Sequence, residues 1–209
     1  MKKLTILVDM DDTVECLTDA WLDWLNAAYG RHVTKDDIKS WDFAAAFPGL
    51  TEDEAFAPLY IDSFWDTVKP MPWASEILSR LRADGHEIYI VTSSACRTIP
   101  AKMERVLFQY FPFINWDHVI IAQKKQMIFG DVLIDDAPHN LEGFDGLKIL
   151  MTAPHNRSCD AKKKGMFRVD NWHTIYDLVT QYAKICETRE IARRMKECRT
   201  RKRAREQKE

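Results

Sequence analysis

The first hydrophobic run of the chain, ILVDMDDTVE, ends in three carboxylates within four positions: Asp9, Asp11 and Asp12. Like charges placed this closely repel one another and raise each other's pKa. Such a cluster is tolerated where a positive group shares its space. The residues that follow the other hydrophobic runs indicate what that group is and what chemistry the cluster can do.

Three further hydrophobic runs also end in polar residues. These are Thr92 and Ser93 after EIYIV, Lys124 and Lys125 after HVIIAQ, and Asp135 and Asp136 after DVLI. Carboxylates from two strands form a hard oxygen site for Mg²⁺, which commonly shares its coordination shell with a phosphate. Hydroxyl and ammonium groups can hold the other phosphate oxygens. One carboxylate can attack phosphorus to form an aspartyl-phosphate, and another, two residues on, can exchange the proton.

Each of these groups also has an ordinary structural explanation. Acidic residues often end strands, LIDD can be a turn followed by a helix cap, and the lysine pair can be a solvated surface feature. The hydroxyl residues can be turn residues. Their occurrence in order, each at the end of a hydrophobic run, favours one shared site.

Five short apolar runs predict buried strands, and they are Leu4–Val8, Glu87–Val91, His118–Ile121, Val132–Ile134 and Lys148–Met151. Helical patterns separate most of them: 75–84 before Gly85, about 99–111, one after Asn140, and one from Trp172. This alternation predicts an α/β fold with a mostly parallel sheet and helices on both faces. Parallel strands end at one edge of a sheet, where ligands bind, so the polar residues at the strand ends are expected to meet.

The segment from about 15 to 70 interrupts the alternation. It contains helical patterns at Thr18–Tyr29 and Thr51–Tyr60, the second opened by the capping-box sequence TEDE, and no convincing strand. We therefore expect a helical insertion between the first and second strands.

Composition limits the class of protein. The chain has 209 residues, of which 46% are hydrophobic and 30% charged, a balance typical of a globular protein and not of a disordered one. No apolar run reaches the roughly 20 residues of a membrane span, and the first apolar patch ends too early for a signal peptide. The five cysteines are scattered, which argues against a disulfide framework or a zinc site and favours the reducing cytoplasm.

The C-terminal segment is basic. Residues 184–209 contain eleven Lys/Arg and five Glu, a net charge of +6, against −8 for residues 1–183. Clustered basic residues are the footprint of phosphate-backbone binding, but this segment has no interleaved aromatic residues. We favour an exposed helical extension over a nucleic-acid arm. A nucleotide- or nucleic-acid-binding protein acting through this tail remains the alternative from another functional class.

The motifs DMDDT, VTSS, KK and LIDD resemble the four motifs of the haloacid dehalogenase (HAD) superfamily. The longer stretches SFWDTVKPMPWA, GDVLIDDAPHNLEGF and FRVDNWHTIYDLV resemble the 5′(3′)-deoxyribonucleotidases, and the resemblance covers approximately Leu4 to Val179. It implies a Rossmann-like core at 1–14 and 71–183 and a small helical cap at 15–70, with 184–209 as an extension. It also implies Mg²⁺-dependent dephosphorylation of nucleoside monophosphates in the cytoplasm; a phosphatase of another small phosphometabolite is the alternative. A homodimer is compatible with the sequence.

The resemblance also assigns roles in catalysis. Asp9 matches the nucleophile, and Asp11 matches the acid/base whose backbone carbonyl binds Mg²⁺. Thr92 and Ser93 match the phosphate-binding pair, and Lys125 fits the motif lysine better than its neighbour does.

The metal ligands that the resemblance implies are Asp9, Asp11, Asp136 as first choice and Asp135 beside it. Mg²⁺ and Lys125 are therefore expected to offset the acidic cluster. Asp12 would lie on the opposite side of an extended chain and is expected to matter much less.

The cap is the part least similar to the family, and it is the part that chooses the substrate. Asp12 stands where vertebrate members carry Gly, Ser94 where they carry Pro, and Ala137 where they carry Arg. By alignment, Trp65 and Leu17 match pocket positions. The aromatic residues Trp41, Phe43 and Phe64 are further pocket candidates, although all of these rings can instead form the core of the cap.

Overall fold

A computed structural model describes residues 1–39 and 43–206; the side chains of residues 43, 198, 199 and 201–206 fall outside this description. Its centre is a six-stranded sheet in which all neighbouring strands are parallel, in the order β3-β2-β1-β4-β5-β6. The strands are β1 Thr5–Val8, β2 Glu87–Thr92, β3 Val119–Ile121, β4 Val132–Asp135, β5 Leu147–Met151 and β6 Phe167–Val169. The predicted α/β class with a parallel sheet is confirmed.

The helices are α1 Leu17–Tyr29, α2 Glu52–Phe56, α3 Ala74–Ala83, α4 Ile99–Lys102, α5 Phe108–Tyr110, α6 Pro138–Leu141 and α7 Trp172–Glu206. A π-helical segment, Met103–Leu107, joins α4 to α5. Short 3₁₀ turns lie at Phe43–Ala46, Ala57–Tyr60, Asp62–Phe64, Trp116–His118, Lys125–Met127 and Pro154–Asn156.

The five predicted strands are present, each within one residue of its expected bounds at either end. Strand β6 was not predicted, because its three residues include a charged one, Arg168, and give too short a pattern. The helix expected after Asn140 is wrong: Pro138 begins a single turn, and Gly143, with φ of 79°, follows its end. Gly85 has φ of 91° just after α3, as expected of a helix-terminating glycine.

Side chains that alternate along β1 pack into two separate cores on the two faces of the sheet. Ile6 and Val8 belong to the larger core, which includes residues of α1, α3, α4 and α7. Leu7 lies in the smaller one, where Leu141 of α6 and Met166 pack against it. Long helices therefore cover one face, and one helical turn together with irregular segments covers the other.

The position of β1 determines where the site lies. Ile6 of β1 pairs with Ile88 of β2 on one side and with Val132 of β4 on the other. The chain runs outward from β1 through β2 to β3 and then returns to the opposite side of β1 at β4. Ligands of open parallel sheets bind at the carboxyl ends of the strands beside such a reversal, which here means the ends of β1 and β4.

The two ends of the segment between β1 and α3 lie side by side. Cys16 N donates to Lys69 O, and Met71 N donates to Val14 O, each at 2.8 Å. In the described part of this segment the regular elements are α1, α2 and 3₁₀ turns. The capping box at Thr51 and Glu54 opens α2 as expected. Paired ends of this kind allow a helical insertion without disturbing the order of the strands.

Helix α7 packs against the larger core through Trp172, Ile175, Val179 and Ala183, all buried. Beyond Ala183 the described helix continues to Glu206, and its side chains are half-buried or exposed from Lys184 to Glu197. Within the described residues, no helix combines the length and apolar character that a bilayer span requires. The four cysteines whose side chains are described are all free.

Candidate active site

The two carboxylates expected to act in catalysis each contact a lysine. Asp9 continues the ladder between β1 and β4, since its N–H donates to Ile134 O at 2.8 Å. Its side chain is buried and forms an ion pair with Lys125 Nζ. Two residues on, the half-buried carboxylate of Asp11 forms an ion pair with Lys102 Nζ. The geometry thus holds both carboxylates at the end of β1, each beside its own ammonium group.

Asp12 does not have the extended conformation expected from sequence. Its φ is 50°, in the left-handed region that short polar residues tolerate best after glycine. Its buried carboxylate accepts a hydrogen bond from Thr18 N at 2.9 Å and contacts the Thr18 hydroxyl. The expectation of an extended chain is wrong here, because the backbone turns to enter α1 and Asp12 fixes the first turn of that helix. Asp12 also lines a cavity that opens over Asp9 and Asp11.

Asp135, the last residue of β4, is fully buried and fully paired. Its Oδ2 accepts from Lys125 Nζ at 2.8 Å, and its Oδ1 accepts from Ala137 N at 2.8 Å and Asn140 Nδ2 at 3.1 Å. The same lysine contacts Asp9, so Lys125 joins the ends of β1 and β4. Burial acts to lower the pKa of Lys125, but the charges of Asp9 and Asp135 outweigh it and raise that pKa. Lys125 is therefore a permanent cation between two carboxylates.

The carboxylate of Asp136 is also buried, but it has fewer hydrogen-bond and ion-pair partners than that of Asp135. Its Oδ2 lies 3.1 Å from His155 Nε2, and its Oδ1 has no hydrogen-bond partner among the described residues. Burial lowers the pKa of His155 to about 4, so the imidazole is neutral near pH 7 and does not offset the carboxylate. Burial first, and then the charge of Asp9, raise the pKa of Asp136 well above its ordinary value.

Asp9, Asp135 and Asp136 form a group that fits a metal ion. Each offers one carboxylate oxygen, and these oxygens lie within 4.8 Å of one another. Burial, and then the charge of Asp135, raise the pKa of Asp9 to about 7, although Lys125 opposes this. Hard oxygen donors of this kind suit Mg²⁺, and the unpaired Oδ1 of Asp136 is an acceptor that a cation would satisfy. The donor set therefore fits the divalent cation expected from sequence.

The two hydroxyl residues that follow β2 differ in position. Ser93 lines the same cavity as Asp9, Asp11 and Asp12. Thr92 is fully buried, and its Oγ1 lies 2.8 Å from Ser94 Oγ. Ser93 therefore borders the cavity next to these carboxylates, whereas the Thr92 hydroxyl contacts its neighbour Ser94.

Lys102 was not identified from the sequence. It is fully buried at the end of α4, and its Nζ contacts Asp11 and lies 2.7 Å from Ser94 Oγ and 3.6 Å from Glu15 Oε1. Burial acts to raise the pKa of Asp11, but the charge of Lys102 outweighs it and holds that pKa below its ordinary value. The adjacent π-helical segment Met103–Leu107 is a feature often found at functional sites, but sequence gives no reliable indication of it.

A cavity of about 270 Å³ opens over these carboxylates. Its apolar wall belongs to the insertion and consists of Leu17, Trp21, Phe56 and Leu59. The rings of Trp21 and Phe56 are stacked, with centroids 5.9 Å apart and planes inclined by 21°. Of the pocket residues expected from sequence, Leu17 is placed in this wall, whereas Trp21, Phe56 and Leu59 were not singled out.

The other expected pocket residues that the structure describes do not line this cavity. Trp65 is buried and borders an adjacent cavity of about 200 Å³, which shares Asp11, Leu17 and Ser93 with the first. Phe64 is fully buried, with its ring 5.7 Å from that of Trp24 and 5.3 Å from that of Trp65, which is the core position considered as its alternative. Trp41 lies outside the described residues, as does the side chain of Phe43.

Comparison with known proteins agrees with this geometry. The family model "5′ nucleotidase, deoxy (Pyrimidine), cytosolic type C protein" matches residues 2–186. A 5′(3′)-deoxyribonucleotidase from Bacillus subtilis is 33% identical over 177 residues, which cover 84% of this chain and 97% of that protein.

Solved structures with low sequence identity share the fold. A HAD family hydrolase from Deinococcus radiodurans, crystallised with phosphate and sodium, gives a TM-score of 0.58 at 16% identity and covers 85% of this chain and 95% of its own. A HAD hydrolase from Bacillus subtilis bound to magnesium gives a TM-score of 0.56 at 17% identity. That match covers 85% of this chain and 99% of the hydrolase chain. These matches show a HAD-like fold. Together with the family match, they establish that the chain belongs to the 5′(3′)-deoxyribonucleotidase family of HAD hydrolases, enzymes that act on phosphoric monoesters.

Proposed function

We propose that this chain hydrolyses deoxyribonucleoside monophosphates in a Mg²⁺-dependent reaction with Asp9 as the nucleophile. The observation that carries the proposal is the arrangement of Asp9 and Asp11 at the end of β1, each paired with a buried lysine, beside the acidic group of β4. In this proposal the segment 15–70 acts as the cap that selects the substrate, and residues 1–14 and 71–183 form the catalytic core.

The proposed reaction has two steps. In the first, a carboxylate oxygen of Asp9 bonds to phosphorus, the ester P–O bond breaks, and Asp11 gives its proton to the leaving alcohol oxygen. In the second, water attacks the aspartyl-phosphate, Asp11 takes a proton from that water, and phosphate leaves Asp9. The proton that Asp11 gives in the first step is thus recovered in the second.

The remaining residues of the site bind or offset charge in this proposal. Lys125 keeps a positive charge between Asp9 and Asp135 throughout. Ser93 lines the cavity where the phosphate oxygens would lie. Asp9 and Asp136 would hold Mg²⁺, with Asp135 beside them and the backbone carbonyl of Asp11 as a further ligand. When bound, the ion supplies the positive charge that lets an anionic nucleophile approach an anionic phosphate.

The substrate class rests on the relatives and on the cavity. The Bacillus subtilis relative is named a 5′(3′)-deoxyribonucleotidase. The stacked pair Trp21 and Phe56 provides a flat apolar wall next to the carboxylates, and a nucleobase presents flat faces that pack on aromatic rings.

Phosphate release from a panel of 5′- and 3′-deoxyribonucleoside monophosphates, ribonucleotides, sugar phosphates and p-nitrophenyl phosphate tests the proposal. We expect turnover with Mg²⁺, loss with EDTA and loss in Asp9→Asn. The exposed Asp145→Asn is the matched control and should retain wild-type turnover. Metal-independent turnover, or full turnover in Asp9→Asn, would contradict the mechanism. A clear preference for sugar phosphates would contradict the substrate class alone.

A further inference from the structure

Lys102 is a buried cation in direct contact with the carboxylate expected to move the proton. Its side chain is fully buried, and its ammonium group pairs with Asp11 Oδ1. The same ammonium lies 2.7 Å from Ser94 Oγ, which in turn lies 3.4 Å from Asp11 Oδ2. Lysine is rarely buried to this extent unless a specific partner compensates for its lost hydration. Here the compensating partners surround Asp11.

Neighbouring elements hold this arrangement from several sides. Ser94 is tied to the end of β2, because its N–H donates to Thr92 Oγ1 at 3.2 Å and the two hydroxyl oxygens are 2.8 Å apart. Glu15 Oε1 lies 3.6 Å from Lys102 Nζ, and the Trp65 ring centroid lies 5.4 Å from it. The lysine is therefore fixed between the sheet and the insertion and has little freedom to reorient.

An aspartate needs such partners if it is to transfer a proton in a defined direction. The last torsion of an aspartate side chain has a broad energy profile, so an unsupported carboxyl group rotates freely. Proton transfer requires the donor oxygen to lie within hydrogen-bond distance of the acceptor. Contacts to both oxygens of Asp11 restrict that rotation.

We infer that Lys102, together with Ser94, holds the Asp11 carboxyl group in the orientation that delivers its proton to the leaving-group oxygen. Lys102 is thus a positioning residue, since its ammonium is buried against Asp11, Glu15 and Ser94 and acts through Asp11. This inference rests on the proposed function.

The role predicts a dependence on the leaving group. Cleavage of a nucleoside monophosphate releases a strongly basic alkoxide, which needs a proton as the P–O bond breaks. Cleavage of p-nitrophenyl phosphate releases a weakly basic phenolate, which leaves without that help. Loss of the Asp11 orientation should therefore slow the first reaction much more than the second.

The test compares kcat and KM of wild type, Lys102→Met and Lys102→Arg on the best nucleotide of the panel and on p-nitrophenyl phosphate, with Mg²⁺ present. For Lys102→Met we expect kcat on the nucleotide to fall about 100-fold, in the range of general acid catalysis, a much smaller loss on the aryl ester, and KM nearly unchanged. Lys102→Arg should recover part of the loss. Lys164→Met, an exposed lysine paired with Glu142, is the matched control.

A double-mutant cycle separates positioning from a general loss of structure. If Lys102 acts through Asp11, adding Lys102→Met to a protein that already carries Asp11→Asn should not lower kcat on the nucleotide any further. Two results together would overturn the inference: Lys102→Met lowers kcat equally on both substrates, and it lowers kcat further when Asp11→Asn is already present. Such results would leave the proposed function standing. A wild type that releases no phosphate from either ester would overturn both.

Ser94→Ala keeps the inference testable if Lys102→Met does not fold. This variant retains the ion pair of Lys102 with Asp11 but removes the contact to the second oxygen. We expect kcat to fall less than in Lys102→Met. The fall should again be larger on the nucleotide than on p-nitrophenyl phosphate. An unchanged ratio of the two kcat values in a folded Ser94→Ala protein would overturn the role of the serine and, with it, the two-contact arrangement inferred here.

Discussion

His155 Nε2 lies 3.1 Å from Asp136 Oδ2, and both side chains are buried, yet the contact leaves the charge of the carboxylate uncompensated. The imidazole is neutral near pH 7, since burial lowers the pKa of His155 to about 4. The other oxygen of Asp136 has no hydrogen-bond partner in the part of the chain that the structure describes. A buried carboxylate in this condition destabilises the fold unless a cation binds it.

Asp136→Asn should therefore remove the response to Mg²⁺ without destabilising the metal-free protein. In wild type the melting temperature should rise with Mg²⁺, because a ligand that binds only the folded state adds about 2.7 kcal/mol at a hundredfold excess over its Kd. In Asp136→Asn the rise should largely vanish, and the metal-free melting temperature should equal or exceed that of wild type. Thermal melts with EDTA and with increasing MgCl₂ measure both quantities.

Asp145→Asn should keep the full Mg²⁺ response in the same melts. A wild type that is unaffected by Mg²⁺ even at high concentration would show that the acidic group is not a metal site.

Lys125→Met should destabilise the protein strongly. The substitution leaves the buried carboxylates of Asp9 and Asp135 without the cation that they share, and breaking a buried ion pair costs about 3–5 kcal/mol. Adding Asp9→Asn should recover part of this free energy, because the double variant buries one charge fewer. Urea denaturation of the two single variants and the double variant, all in EDTA, gives the values. If the double variant loses as much free energy of unfolding as the two single variants together, the charge-pairing explanation is contradicted.

Phe56→Ala should weaken the use of nucleotides more than the use of small phosphate esters. Phe56 stacks on Trp21 and lines the cavity. Stacking of a base on an aromatic side chain is worth about 1–3 kcal/mol, so we expect kcat/KM for the best nucleotide to fall by about 10-fold or more. The value for methyl phosphate should change little. Tyr29→Ala, an exposed aromatic residue on the same helix as Trp21, is the control, and equal losses on both esters would argue against a base-binding wall.

His86 should make stability depend on pH in the acid range. The ring is buried, Nδ1 accepts from Leu4 N at 3.1 Å, and burial lowers the pKa of His86 below its ordinary value. The unfolded chain, whose histidines titrate near about 6.5, then binds a proton more readily than the folded protein. The free energy of unfolding should therefore fall as the pH drops from about 7 to 5.

The comparison of wild type with His86→Asn isolates this effect, since an Asn side-chain oxygen can still accept from Leu4 N. We expect a shallower decline in the variant, measured by urea denaturation at several pH values. His32→Asn, at an exposed position, controls for the general effect of losing a histidine. Parallel curves for wild type and His86→Asn would rule the buried ring out as the cause.

A feature of this protein could be predicted from the sequence where its physical cause lies in the local pattern of residues. The strand ends at Asp9, Asp135 and Asp136 were predictable, because short β-branched runs between turns form buried strands and parallel strands bring their carboxyl ends to one edge. The third hydrophobic run indicated the pair Lys124 and Lys125, and the family resemblance selected Lys125 from it. The arguments for the strand ends and the lysine pair need only the periodicity of the chain and the rules of parallel sheets.

Only the tertiary structure decided the rest. A lysine within a helical pattern is ordinarily exposed, so nothing in the sequence around Lys102 indicated that α4 would bury it against Asp11. The fold of the insertion placed Trp21 and Phe56 on the cavity and Phe64 in its own core. Asp12 turned inward because the backbone there adopts a positive φ to enter α1. Long-range packing determines which side chains of a helix or a turn become part of a site, and the pattern of a single sequence does not contain that information.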